Sequence, residues 1–405
     1  MTNKDPWYVG WDITDAERDR FRKISNASRE AKRIALESPV ALGVHPIYEP
    51  NLNPADLMPQ EPRNGFVALS LFSGGGGLDL GFARAGFTHA ASYEILPDAA
   101  KTLSTARPDW AVHGGLAGDV RHIDWSRYRG DVDVIHGGPP CQPFSSAGRQ
   151  LGPDDTRDMF PEFVRAVLAI KPAAFVAENV PALLHTKFET YLRTKVSEPL
   201  GRDYTIVRFV LRAEAFGVPQ LRKRVFLLGL RGLDAAEWLS PPATTHTAGH
   251  LPNGEADAPS LQDAGPSKRR CLGVREALGL PVREFDALAP TIRSTLTGPR
   301  HTTSVNSSVS AHKMWSRLEI WPNGVADTRE AAQRFPASNG HYRLSVADVA
   351  IIQGFPADWP FQGGVYMKLG QIGNAVPPPL GYAVAKAVAQ CLANASLTSV
   401  RSLPA

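Results

Sequence analysis

The chain has 405 residues, with 44 Lys and Arg against 40 Asp and Glu, and three cysteines. The widely separated thiols Cys141, Cys271 and Cys391 exclude a disulfide framework, and without a Cys-x-x-Cys pair or partnered histidines no metal is expected. A net charge of +4 admits a polyanionic partner without demanding one, and no apolar run approaches a membrane span, so the composition describes a soluble protein of a reducing cytoplasm.

From Asp15 to Leu36 the chain is charge-dense and free of Pro and Gly, with Phe21, Ile24, Ala27, Ala31, Ile34 and Ala35 at helical spacing. This predicts a solvated helix docked on the body by a weakly apolar face, its other face carrying Arg18, Arg20, Arg22, Lys23, Arg29, Lys32 and Arg33. Repeated prolines make Pro39 to Arg63 an extended connector. Phe66 to Phe72 is nearly all apolar, as a buried parallel strand requires, and it empties into Ser73-Gly74-Gly75-Gly76-Gly77 before helical spacing resumes at Leu78. In a strand, glycine loop and helix the backbone comes close to a ligand and helix amides face it, although a flexible turn would show the same glycines. Two carboxylates add to the first reading. Glu94, ending Ala90-Ala91-Ser92-Tyr93, suits an acceptor for ribose hydroxyls, and Asp119 an acceptor for an adenine amino group. No Gly-Lys-Ser or Gly-Lys-Thr closes the loop, so a nucleoside cofactor with little phosphate fits better than ATP, and a nicotinamide cofactor stays open.

The run Val132, Val134, Ile135 enters Gly137-Gly138-Pro139-Pro140-Cys141-Gln142-Pro143-Phe144-Ser145, a strand ending in a stiffened loop that carries a thiol. A structural cysteine sits inside an element; this one stands where open α/β sheets hold ligands. Phe175-Val176-Ala177 is another buried strand and ends in Glu178-Asn179. Gln220-Leu221-Arg222-Lys223-Arg224 leads into the strand Val225 to Gly229; Arg222 and Arg224, two apart, share a strand face, which a plain basic edge strand would also show. Pro241-Pro242 and Pro252-Asn253-Gly254 mark a long loop region, and Thr291 to Ser310 is rich in Thr, Ser and Arg, including Arg293, Thr295, Thr297 and Arg300 as donors to phosphate or base edges. Cys271 and Cys391 read as core, and His301, His312 and His341 as surface or packing residues.

The ordered set Phe72 through Gly77, Pro140-Cys141, Glu178-Asn179-Val180, Gln220 through Arg224 and Gly373-Asn374-Ala375-Val376-Pro377 resembles the DNA (cytosine-5) methyltransferase family, in that family's order. The resemblance covers Phe66 to about Leu230 and Arg343 to Ala389, and it departs at Ala347-Asp348, where the family often has Arg-Glu. It implies an α/β fold, a Rossmann-like class I S-adenosylmethionine-dependent methyltransferase sheet, with a smaller, mostly irregular target-recognition domain. The implied organisation is an amino-terminal extension (1–64), a catalytic and cofactor-binding domain (65–230), the recognition domain (231–341) and a returning segment (342–405).

The implied catalytic residues are Cys141, attacking cytosine C6; Glu178, acting at N3; Arg224, contacting O2; and Arg222, organising the site. Phe72, Gly74, Gly76, Gly77, Glu94, Asp119, Pro140, Asn374 and Val376 would hold S-adenosylmethionine, leaving S-adenosylhomocysteine as product. Gln142, Ser145 and Arg149 would close on the DNA around a flipped-out cytosine. The expected protein is a cytoplasmic bacterial monomer modifying double-stranded DNA, with a cognate restriction endonuclease acting on the same sequence without a stable complex. Two other readings are a tRNA cytosine-5 methyltransferase and a non-catalytic DNA-binding regulator. The regulator would be expected to lack Cys141, Glu178 or Arg224, and all three are present.

Overall fold

A computed structural model describes residues 14–37, 45–140, 158–232, 240–247, 268–282, 285–293, 296, 302–334 and 340–401. Its centre is a seven-stranded sheet of β1 (Val67–Leu71), β2 (Thr88–Glu94), β3 (Val112–Gly114), β4 (Val134–Gly137), β5 (Ala174–Asn179), β6 (Tyr204–Arg212) and β7 (Lys223–Arg231). The order across the sheet is β3-β2-β1-β4-β5-β7-β6; β1 to β5 run parallel, and β7 is antiparallel to both neighbours.

The central strands β1, β4, β5 and β7 are mostly apolar because both faces are covered. Along β5, Ala174 and Val176 join one core and Phe175 and Ala177 the other; along β7, Phe226 and Leu228 alternate with Val225 and Leu227 in the same way. The first face is covered by the helix after the glycine run, Gly77–Arg84, and by the carboxyl-terminal helix Pro378–Arg401. They pass so close that a side chain on Gly81 would stand 2.4 Å from the amide nitrogen of Tyr382. The helix Phe160–Ile170 covers the second face with Phe163, Val164 and Val167.

Strand order reverses beside β1, whose neighbours are β2 and β4, and this switch point is where an open sheet offers a crevice at its carboxyl ends. Leu71 pairs with Gly137 there, so the glycine loop and the Gly-Gly-Pro-Pro turn leave the sheet side by side.

The amino-terminal helix, Asp15–Glu37, is solvated as expected, and among its described side chains Phe21 alone is half-buried. Three of the seven residues of its basic face are paired within the helix, Arg18 with Asp15, Arg22 with Asp19 and Arg33 with Glu30. The connector lies along the body rather than free of it, burying Leu52 and Met58. In the returning segment, Asp348 caps its helix through Ser345 and accepts a hydrogen bond from Arg329 Nε at 2.9 Å. The partner that Ala347 cannot supply thus comes from another element.

Candidate active site

The loop after β1 is shaped by two carboxylates and by chain returning from the far end of the sequence. Phe72 and Gly74 have positive φ, 55° and 54°, which turns the chain sharply off the strand. The Gly74 amide donates to Glu94 Oε2 at 2.6 Å and the Leu96 amide to Glu94 Oε1 at 2.8 Å. Glu94 therefore ties the loop to β2, and burial pushes its carboxyl above the usual range. Asp119 is also buried; Arg121 grips it with Nε at 2.9 Å from Oδ1 and a terminal nitrogen at 2.6 Å from Oδ2, and this hydrogen bonding holds it below the usual range. The sequence assigns Asp119 to an adenine; the arginine that shares it was not foreseen.

The glycines divide into two kinds. A side chain on Gly74 would meet nothing within 4 Å, whereas one on Gly76 would lie 2.5 Å from Leu103 and one on Gly77 2.1 Å from the Val376 carbonyl oxygen. Gly74 thus faces open space, while Gly76 and Gly77 allow other parts of the chain to approach. Trp359 donates from its indole nitrogen to the Gly75 carbonyl at 3.0 Å. The Thr102 hydroxyl donates to Gln371 Oε1 at 2.6 Å and accepts from the Gln362 amide at 2.9 Å, while Gln371 Nε2 donates to the Gln362 carbonyl. The returning segment is thereby fastened over the loop. Asn374 is the one exposed residue between Leu369 and Tyr382, and Val376 is buried beside it.

Beneath the loop lies a buried polar group that sequence reasoning missed. Ser92 donates to Asp79 Oδ1 at 2.8 Å, and the hydroxyls of Ser70 and Ser73 lie 2.8 Å apart. Asp79 is 1% exposed, and burial lifts its carboxyl to about 6. Its position in the first turn of a helix offers the only sequence signal, and that signal reads as a charge favoured by the helix dipole.

The second half of the site is built from β4, β5 and β7. Asn179 Nδ2 donates to the Pro139 carbonyl at 3.0 Å, which fixes the turn two residues before Cys141 to the end of β5. Glu178 stands 2.7 Å from Arg224 Nε through Oε1. A side chain on Gly138 would come within 3.0 Å of Glu178 Oε2, so the glycine lets the turn and the carboxyl meet. Burial pushes Glu178 above the usual carboxylate range, and the charges of Arg224 and Arg222 act against it.

Arg222 and Arg224 separate in their work. Arg222 is 1% exposed and donates to the carbonyls of Gly373 at 2.7 Å, Ala375 at 3.0 Å and Ile292 at 3.3 Å, joining three segments. Gln220 is buried likewise, held to Gln353 and the Ile292 amide. Arg224 is the member that reaches Glu178.

The structure thus brings together Pro140, Glu178, Asn179 and Arg224 on one side, and Gly74, Glu94 and Asn374 on the other. Cys141, Gln142, Ser145, Arg149, Thr295, Thr297 and Arg300 lie outside the described residues. Arg293 is exposed, and its amide donates to the Val305 carbonyl at 3.1 Å.

A family model described as C-5 cytosine-specific DNA methylase matches residues 66–390. The chain is 36% identical over 331 residues to the Type II methyltransferase M.NgoMIV of Neisseria gonorrhoeae, covering 81% of this chain and 98% of the relative. It is 34% identical over 344 residues to the Type II methyltransferase M.Eco47II of Escherichia coli, covering 82% and 80%. Among solved structures, it shares its fold with the Entamoeba histolytica methyltransferase EhMeth at a TM-score of 0.52 and 13% identity, over 83% of this chain and 99% of the other. A Spodoptera frugiperda DNMT2 mutant gives a TM-score of 0.50 and 16% identity, over 80% and 99%. Likeness this extensive in sequence, along nearly the whole sheet and its returning segment, makes the chain a member of the C-5 cytosine-specific DNA methylase family.

Proposed function

We propose that this DNA cytosine-5 methyltransferase works through Cys141, with Glu178 and Arg224 holding the cytosine ring and Asn179 fixing the thiol-bearing turn. The observation that carries the reading is the Asn179–Pro139 hydrogen bond beside the Glu178–Arg224 pair, because it brings the approach to Cys141 to the one carboxyl and guanidinium that the chemistry needs.

C5 of cytosine is a poor nucleophile until C6 gains an electron pair. The Cys141 thiolate forms a bond to C6, and the ring's π electrons move toward N3. Glu178, whose hold on a proton burial strengthens, shares a proton with N3, while Arg224 holds O2. C5 is then electron-rich. After methylation the C5 proton leaves to solvent base, the C6–S bond breaks by β-elimination to regenerate the Cys141 thiolate, and the N3 proton returns to Glu178. These atoms are out of reach within a stacked duplex, so the cytosine is flipped out.

The cofactor half suits S-adenosylmethionine. Gly74 offers an open cradle, Asn374 is exposed among buried neighbours, and Glu94 and Asp119 offer acceptors for hydroxyl and amino groups. When bound, the cofactor supplies an electrophilic methyl group on a sulfonium. Phe72, Gly74, Glu94, Asp119, Pro140, Asn374 and Val376 line its site, with Gly76 and Gly77 seating the protein behind the loop. Arg222 positions the returning segment rather than touching substrate.

The Type II relatives support placement in a restriction–modification pair, in which residues 231–341 read a short duplex sequence and a separate endonuclease cuts the same sequence unmethylated. Gln142, Ser145, Arg149, Arg293, Thr295, Thr297 and Arg300 are assigned to the DNA. The enzyme acts as a monomer on DNA in the bacterial cytoplasm.

Labelled methyl transfer to mixed-sequence DNA, mapped at base resolution, is expected to place 5-methylcytosine in one short motif. A product at adenine N6 or cytosine N4, or transfer to tRNA instead of DNA, would sink the reading. DNA carrying 5-fluorocytosine in that motif is expected to trap a covalent adduct with the wild type and none with Cys141→Ser.

A further inference from the structure

The end of the β6–β7 pair carries an arrangement that the catalytic roles leave unexplained. Register places Arg212 directly opposite Lys223 across these antiparallel strands. Two cations facing each other on a ladder repel, and the acid that pairs with Arg212, Glu214, balances only one of the two charges. Both residues line a cavity of about 360 Å³ whose wall also includes Arg222, Arg224 and Thr291. Among the described residues the cavity has one carboxylate, Glu214, which is 2% exposed at its side chain and accepts Arg212 Nε at 2.6 Å. That buried acid fixes the plane of a guanidinium that is itself 31% exposed. The Lys223 side chain is exposed and has no ion-pair partner among the described residues. Arg212, Arg222, Lys223 and Arg224 against Glu214 leave the cavity net cationic.

We propose that Arg212 and Lys223 form a phosphodiester subsite for the DNA strand carrying the target cytosine. Arg224 lines the same cavity as Arg212 and Lys223, so a base held at Glu178 and Arg224 brings its own backbone to this cavity. The two non-bridging oxygens of a phosphate accept one donor from each cation, which relieves the cross-strand repulsion and anchors a nucleotide that has lost its stacking. The subsite rests on the base-holding role of Glu178 and Arg224. That role is tested separately by 5-fluorocytosine adduct formation in Arg224→Ala, so the two can fail independently.

The test uses the full chain and a duplex bearing the mapped motif, with affinity followed by fluorescence anisotropy over a salt series. Each lost phosphate contact takes about 0.9 from the slope of log affinity against log salt, so Lys223→Gln is expected to lower the slope by about 0.9 and the double variant Arg212→Gln/Lys223→Gln by about 1.8. Lys223→Arg keeps the wild-type slope, and S-adenosylmethionine affinity stays unchanged in all three. A single methylphosphonate beside the target cytosine weakens the wild type and leaves the double variant unaffected. Should Arg212→Gln disturb folding by stranding Glu214, the exposed Lys223→Gln carries the test alone. An unchanged slope in Lys223→Gln, or methylphosphonate sensitivity confined to the opposite strand, overturns the proposal.

Discussion

Asp79 pays for its place beneath the cofactor loop with a carboxyl lifted from 3.8 to about 6 by burial. Between those values the folded chain holds a proton there that the unfolded chain has released, so folding takes up a proton. Its contribution to stability is therefore fully present below the unfolded value and is lost as pH rises through about 6. Asp79→Asn removes this dependence. The melting temperature of the wild type is expected to rise relative to the variant as pH is lowered from about 7 to about 4, and parallel profiles would refute the assignment. Residue types alone do not reveal such a group, since burial and partners decide it. Arg222 and Arg224 make the same point: the shared motif was legible, but one guanidinium binds three carbonyls and the other a carboxyl. The glycines were legible as a close approach of backbone, but not as an approach to distant chain rather than to ligand.

At the scale of elements, the parallel strands could be read from their apolar runs because burial on both faces leaves little room for polar side chains. Their order could not be, since pairing is set by contacts between segments far apart. The strap from Phe355 to Gln371 lies within the returning segment and carries no sequence signal of its contact with the glycine loop, yet it fastens that loop through Trp359. Trp359→Phe keeps the ring and removes the hydrogen bond to Gly75. It is expected to raise KM for S-adenosylmethionine about fivefold, the worth of one hydrogen bond of roughly 1 kcal/mol, with kcat and KM for DNA unchanged. A matching fall in kcat would assign the indole to chemistry instead. The Arg329–Asp348 pair shows how an element compensates for a local departure: Ala347 withdraws an arginine and another segment supplies one, so Arg329→Ala is expected to cost about 3–5 kcal/mol on thermal or denaturant unfolding.

At the scale of the molecule, the chain is fastened to the body from His45 onward. His45 contacts the Gly340 carbonyl at 2.8 Å, and the connector beyond it buries Leu52 and Met58. The preceding helix is solvated, and exposed pairs such as those within it contribute little. Removal of residues 1–44 is therefore expected to leave the rate of DNA methylation and the melting temperature unchanged. A selective loss of DNA affinity would instead give the helix a part in binding.

The closure of the glycine loop by Trp359, Phe361, Gln371 and Val376 also bears on the protein's synthesis. A growing chain presents the Gly-Gly-Pro-Pro turn and Glu178 some 180 residues before the strap emerges, and translation takes about ten seconds or more to cover that distance. Throughout that interval the glycine loop is without the contacts of Trp359, Phe361, Gln371 and Val376 that close it. Fragments ending before Val376 are therefore expected to transfer no labelled methyl group to DNA.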